Sequence, residues 1–302
     1  RDCLLSRGLG DVYKRQDYDV LIVNSNASTN ARLSLTSLDL KIFGIDRVVL
    51  SLKNKVWIKP QGNSLTIKKN RDINFDGLIT AGKTQYYGSD FSFIYNDFKL
   101  NMAHCDSMFI WADYLESKRK GSLVRSLSNI RSLEGYIEID EPDNKSGVDT
   151  SHHEFPILHS NTPTYVYYDD PSIQKGIYKR EDFMFIIEPF EMDSLDEFAN
   201  DGLNLKGLFK SGGIFPDFKE SLTIMPDYSL GFIKNTPVDG FKIYNQLASY
   251  DNEIRLSNEG LKGTGTIEFY TSTAISDDLT FFPDSVTCLL YTSDAADDTP
   301  CV

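Results

Sequence analysis

The chain has 302 residues, 40% of them hydrophobic and 12% aromatic, with 31 Lys and Arg against 44 Asp and Glu for a net charge of −13. That length can hold one large domain or two ordinary ones around a sizeable buried core. The acidic balance argues against a nucleic-acid partner, whose phosphates are bound by clustered Lys and Arg, and no run approaches the ~18 apolar residues of a membrane-spanning helix.

The first segment, residues 1–16, reads RDCLLSRGLGDVYKRQ, and the last, 288–302, reads CLLYTSDAADDTPCV. Both resemble translated sequencing-adaptor tails found on genes assembled from environmental DNA, with VYKRQ at one end and CLLYTSDAADD at the other. They are set aside as non-native before the fold is considered. Cys3, Cys288 and Cys301 fall in these tails, so Cys105 alone is left to the core. A disulfide framework or a cysteine zinc cluster there is excluded. The natural start is then missing, and the lack of a signal peptide says nothing about secretion.

Between the tails the apolar signal repeats every second residue, the period of a strand with one buried face. Val48, Leu50 and Leu52 open the series, and Val56 and Ile58 lead into Pro60-Gln61-Gly62-Asn63. That is a turn in which proline fixes φ and glycine accepts positive φ. From Ile73 the odd positions Phe75, Gly77, Ile79 and Ala81 alternate with Asn74, Asp76 and Thr80, Leu78 being the exception. Phe91, Phe93 and Tyr95 follow, then Phe98, Leu100 and Met102. Further strands are expected at 135–140, 165–168, 183–187, 222–225, 241–244, 254–256 and 266–270. Many short strands punctuated by Gly, Pro, Asn and Asp predict an all-β, mainly antiparallel fold of repeated sheet layers, as an elongated scaffold or a sandwich.

One or two short helices complete the expectation. Ser194-Leu195-Asp196-Glu197 fits a capping box and predicts one or two turns before Gly202. Residues 114–120 could form a second, although Gly121 and the run after it favour a strand. A hydrophobic residue, any residue and a glycine open four alternating stretches, at Phe75-Asp76-Gly77, Leu133-Glu134-Gly135, Leu205-Lys206-Gly207 and Leu261-Lys262-Gly263. Repeated multi-strand layers and chance recurrence both account for this. Glycine within a strand marks a bulge or a close backbone approach. Residues 141–153 are polar and include Pro142 and Gly147, and they divide two β-rich regions, 17–140 and 154–287, as a linker or a long surface loop.

Several phrases carry a resemblance: FDGLITAG at 75–82, FSFIYNDFKLNM at 91–102, EIDEPDNKSG at 138–147, YVYYDDPSIQKGIY, SGGIFPDF and MPDYSLGF. Together they resemble very large uncharacterised β-rich proteins of Gram-negative gut and environmental bacteria. The resemblance implies an internal fragment of a cell-envelope protein, extracytoplasmic, in the periplasm or associated with the outer membrane, and it implies no activity. A looser likeness is to long β-scaffold proteins that bridge the periplasm and carry lipid.

The densest polar group is His152, His153, Glu154 and His159, whose side chains are those of zinc ligands. Pro156 interrupts the helix that His-Glu-x-x-His requires, and on a strand His152 and His153 face opposite ways, so they read as exposed loop histidines. Asp169 and Asp170, Glu181 and Asp182, Glu188 and Glu191, and Asp193, Asp196 and Glu197 read as surface charge; a glycosidase pair is a spatial relation that adjacency does not supply. Lys118-Arg119-Lys120 reads as a solvated loop. Cys105 beside His104 reads as a small buried hydrophobe. Tyr165 and Tyr167 share a strand face beside Asp169, as sugar stacking or cross-strand packing would each require; only 2 Trp beside 16 Tyr and 19 Phe favours packing.

No Gly-x-Ser-x-Gly elbow, phosphate loop or dinucleotide fingerprint occurs between the tails. No catalytic, cofactor-binding or metal residue is therefore assigned. The leading expectation is a non-catalytic structural or binding segment of a large cell-envelope protein, with envelope components, lipid or glycan as partners. The alternatives are a carbohydrate-binding or carbohydrate-active β domain, a lipid-handling periplasmic scaffold, and a metal-dependent enzyme using His152 or His153.

Overall fold

A computed structural model describes residues 21–115 and 121–288. Lys118-Arg119-Lys120, the first tail, all but Cys288 of the second and most of the 114–120 candidate helix lie outside the described residues. The alternating sequence becomes strands β1 (Ile22–Ser25), β2 (Ala31–Leu33), β3 (Leu40–Phe43), β4 (Ile45–Ser51), β5 (Val56–Pro60), β6 (Ser64–Ile67), β7 (Ile73–Ala81) and β8 (Thr84–Ile94). There follow β9 (Lys99–Asp113), β10 (Leu123–Arg125), β11 (Ile130–Glu138), β12 (Ile157–Ser160), β13 (Thr164–Tyr167), β14 (Phe183–Ile187), β15 (Glu191–Met192) and β16 (Leu205–Ser211). The last are β17 (Phe218–Ile224), β18 (Leu230–Asn235), β19 (Phe241–Ile243), β20 (Ala248–Ser257), β21 (Gly260–Phe269), β22 (Ser272–Phe281) and β23 (Val286–Cys288).

The fold is all-β and antiparallel throughout. Pairing runs in one line, β1-β4-β5-β7-β8-β9-β11-β13-β14-β16-β17-β18-β20-β21-β22-β23. Side branches are β6-β3-β2 from β7, β10 from β9, β12-β15 from β11 and β19 from β20. No helix among the described residues is long and apolar enough to cross a membrane.

A sheet with no helix to cover it must bury its apolar face against itself, and long-range bonds show it doing so. Asn54, in the β4-β5 turn, donates from Nδ2 to the Ile139 carbonyl just past β11 (2.6 Å), although β5, β7, β8 and β9 lie between them in the line. Tyr168 Oη donates to the Leu230 carbonyl at 2.9 Å. Tyr178 Oη donates to the Phe281 carbonyl (2.8 Å) and accepts from the Leu261 N–H (3.1 Å). One apolar cluster results, continuous from Ile45 to Phe281. Its later part is a lattice of edge-on rings, with Phe209 5.3 Å from Phe183 and 5.1 Å from Phe232.

Residues 141–153 carry no strand and are strapped to the β4-β5 turn. The Asp140 carboxylate, 1% exposed, accepts from Asn54 Nδ2 (2.9 Å), from Asn144 Nδ2 (3.1 Å to each oxygen) and from Lys53 Nζ (3.2 Å). Lys53 Nζ also reaches the Asp149 carbonyl at 2.8 Å.

Three local expectations differ from the fold. Ser194 to Glu197 form no helix: Ser194 has a φ of +48°, its N–H goes to the Glu154 carbonyl and its hydroxyl to the His153 carbonyl. The chain makes one turn and a short 3-10 segment, Asn200–Gly202. Tertiary burial outweighs the capping signal here, because Leu195 is fully buried and its carbonyl accepts from the Lys83 N–H of the β7-β8 turn at 2.7 Å. Leu52 leaves its strand to sit in the β4-β5 turn, 71% exposed. Phe98 occupies the β8-β9 turn at φ +53° with its ring buried.

The four hydrophobic-x-glycine glycines all lie inside strands. The register shifts at Phe75/Gly77, Leu133/Gly135 and Gly263/Gly265, each time with an extra residue on the partner strand. On the other side a neighbour comes close: a Cβ at Gly77 would lie 2.3 Å from the Lys59 carbonyl oxygen, one at Gly135 2.0 Å from that of His159, and one at Gly207 2.1 Å from that of Ile186.

Gly135→Ala is expected to lower the urea-unfolding free energy by roughly 1–3 kcal/mol, the usual cost of overpacking. Gly202→Ala, with nothing within 4 Å of the new methyl, should stay within about 0.5 kcal/mol of the parent. Asp140→Ala removes the carboxylate from Lys53 and two buried amides and leaves each only backbone carbonyls as acceptors, and a loss of roughly 3 kcal/mol is expected in the same measurement.

Candidate functional site

The residues singled out by sequence are dispersed. His152 lies 3.6 Å from Asp149 and 3.8 Å from Glu154, and His153 is exposed. His159, on β12, stacks on Tyr136 (4.5 Å) and pairs through Nδ1 with Glu191 at 3.0 Å. Among the described residues no three His, Cys, Asp or Glu side chains converge as metal ligands. Glu188 pairs with Lys219 (2.7 Å), and Asp196, its carboxylate mostly covered, pairs with Lys55 (3.2 Å), so each carboxylate has its own lysine. His104 and Cys105 point apart: the imidazole pairs with Asp90 in solvent (3.2 Å), while burial pushes the thiol up to about 12.

Tyr165 and Tyr167 do share a face, with parallel rings 5.9 Å apart, and Tyr168 turns inward to its bond with Leu230. The Arg180 guanidinium covers the Tyr167 ring at 4.6 Å and pairs through Nε with Asp169 Oδ2 at 2.8 Å. This row of ring, ring, guanidinium and carboxylate forms a wall on the outer face of the sheet.

Two clefts meet at that wall. One, of about 620 Å³, is lined by Asn129, Arg131, Tyr167, Asp170, Asp227 and Asn258, among others. The other, of about 610 Å³, crosses His104 and Asp106 on β9 and Arg131, Leu133 and Glu134 on β11, with Arg180 from the loop before β14. They share Arg131, Tyr167 and Arg180 and so form one open trench.

Its polar groups are held by short local locks. Asp170 Oδ1 accepts from the Ser172 hydroxyl (2.6 Å) and N–H (2.8 Å), which keeps the carboxyl below the usual range. Asp227 Oδ1 accepts from the Ser229 hydroxyl (2.5 Å) and N–H (3.0 Å), and its Oδ2 from the Asn258 N–H (3.2 Å). Both are Asp-x-Ser turns of the kind a short polar side chain closes on its own backbone. Glu259 pairs with Lys262 at 3.4 Å. Burial raises the Tyr167 phenol and the bond to Asp169 raises Arg180.

Sequence reasoning reached Tyr165, Tyr167, Asp169 and Asp170 but not Arg131, Arg180, Asn129, Asn258, Asp227 or Glu259. These come from separate segments that only the curl of the sheet brings together. The two Asp-x-Ser turns were the one readable signal.

No family model matches the sequence, and neither the curated proteins nor the solved structures contain a match to it.

The native thiol of Cys105 is expected to resist alkylation by iodoacetamide at pH 8, and to react once the chain is unfolded in guanidinium. Peptide mapping with mass spectrometry separates it from the other cysteines. Rapid native labelling at Cys105 would contradict its burial.

Proposed function

We propose that this chain is a non-catalytic structural and binding segment of a large extracytoplasmic, cell-envelope protein. One observation carries the reading: each carboxylate of the first cleft already has a partner, Asp169 in Arg180, Asp170 in Ser172, Asp227 in Ser229 and Asn258, and Glu259 in Lys262. Hydrolysis of a glycosidic bond needs two carboxyls facing one bond, with one kept protonated by a raised pKa. The shift at Asp170 runs the other way. Side chains locked in this manner suit holding a ligand, not transferring protons to it.

The placement in a cell envelope rests on the resemblance of phrases such as FDGLITAG and MPDYSLGF to large envelope proteins. A lipid carrier would need an apolar groove along the sheet. An apolar cleft of about 530 Å³, lined by Ile243, Tyr244, Leu247, Ala248, Ile267 and Phe269 among others, lies instead at the β19-β21 end. The trench is polar, which favours a hydrated ligand.

The purified protein is expected to give no turnover above blank with chromogenic glycosides, esters, phosphoesters and peptides. A turnover that Asp169→Asn or Asp170→Asn abolishes would overturn the non-catalytic reading.

A further inference from the structure

We infer that the trench centred on Arg131, Tyr167 and Arg180 binds a neutral, polyhydroxylated chain, that is, an uncharged oligosaccharide. The inference rests on the binding role proposed above and adds the chemical class of the ligand.

Charge narrows the class first. Asp169, Asp170, Asp227 and Glu259 line the same cleft as Arg131 and Arg180, so the carboxylates outnumber the guanidiniums. A phosphate- or carboxylate-bearing ligand would meet like charge there. Polarity narrows it further, because an apolar ligand would strip water from amides, hydroxyls and carboxylates and offer them nothing in return.

The remaining hydrogen-bonding capacity is specific. Arg180 gives Nε to Asp169 and is held over the Tyr167 ring. Arg131 gives only Nε, to Asn129 Oδ1 at 3.2 Å, and makes no ion pair among the described residues, which leaves its terminal nitrogens as donors. Asn258 is oriented by its neighbour. Ser128 Oγ accepts from the Leu230 N–H (3.0 Å) and so donates to Asn258 Oδ1 (3.0 Å), which leaves the amide NH₂ as a donor. Asp170 has Oδ1 held by Ser172 and Oδ2 as an acceptor. Fixed donors interspersed with fixed acceptors match sugar hydroxyls, each of which donates once and accepts twice. The locks hold these groups in place before a ligand arrives, so little ordering is left to binding.

Shape separates a sugar chain from a peptide. An extended peptide binds a sheet by adding a strand to a free edge through its main chain. The trench floor is the outer face of strands already paired: β11 has β9 on one side and β12 and β13 on the other. Recognition there has to come from side chains, across two clefts of about 620 and 610 Å³ that adjoin at Arg131, Tyr167 and Arg180. A linear chain spanning both is the ligand form that uses them.

The test is isothermal titration of the full chain with neutral hexasaccharides of β-1,4-glucan, β-1,4-xylan, α-1,4-glucan and chitin, beside hexagalacturonate as the anionic counterpart. At least one neutral hexasaccharide should bind, with a Kd raised tenfold or more by Arg131→Ala and by Asn258→Ala. Lys219→Ala, away from the trench, should leave Kd unchanged. Thermal melts of each variant confirm that it folds, and either trench variant suffices. Binding by none of the neutral chains, preference for hexagalacturonate, or a Kd indifferent to both trench substitutions overturns the inference and leaves the non-catalytic reading standing. Shortened saccharides appearing in the titration cell would overturn that reading while leaving the ligand class intact.

Discussion

The structure depends on where its strands are allowed to bend. With no α-helix among the described residues, the apolar face can be buried only by curling the sheet over itself, and a regular pleated sheet resists such curling. The bend is supplied where Gly77 pairs with Gly88, Gly88 with Cys105 and Cys105 with Leu133, a line crossing β7, β8, β9 and β11. Register shifts accompany it at each of these pairings. An extra residue raises the local twist, and glycine lets the next strand's carbonyl come within a distance that a methyl would block. Without that line Asn54 would not reach Ile139, and the Asp140 anchor would have nothing to hold.

The same bulges decide how much of the fold could be read. At the start of β7 alternation places the core correctly, with Ile73 and Phe75 buried and Asn74 and Asp76 exposed, but past the Phe75/Gly77 shift Ile79, Thr80 and Ala81 are all buried, Thr80 against the expectation. In β9 the buried positions run Leu100, Met102, then Cys105, Ser107 and Met108, so the period of two is lost after Met102. The alternating signal therefore ends at Met102, although the strand continues to Asp113. β22 escaped notice for the same reason, since Ser276, Leu279 and Phe281 are buried with a phase change between the first two. The capping box at Ser194 failed differently: a local signal worth about 1 kcal/mol gave way to the burial of Leu195, worth roughly 1.5–3 kcal/mol.

The site was legible only where it is local. Tyr165 and Tyr167 sharing a face follows from strand geometry alone, and Asp170 with Ser172 is a turn visible in four letters. What lies opposite them is not local. Arg131 comes from β11, Asp227 from the β17-β18 turn and Asn258 from the β20-β21 turn, and no spacing rule connects these segments. Their meeting depends on Tyr168 reaching Leu230 and Tyr178 reaching Phe281, bonds that hold the loop after β13 against the later strands. Buried hydroxyls thus fix the distance between two sides of the trench.

The bend and the trench are one feature seen from two faces. The second cleft is floored by His104, Cys105 and Asp106 of β9 and by Ser132, Leu133 and Glu134 of β11, the residues on either side of the register shift at Leu133/Gly135. On the inner face the shift turns the sheet toward its core. The cleft lies at the same shift, and Ser132, at φ +58°, follows directly on Arg131 there. Bulges in sheets commonly re-aim a side chain in this way. The bulge that lets the scaffold curl thus also sets the irregular surface on which this cleft lies, whereas the Asp-x-Ser turns and the Asn258 amide are parts that curling alone does not require.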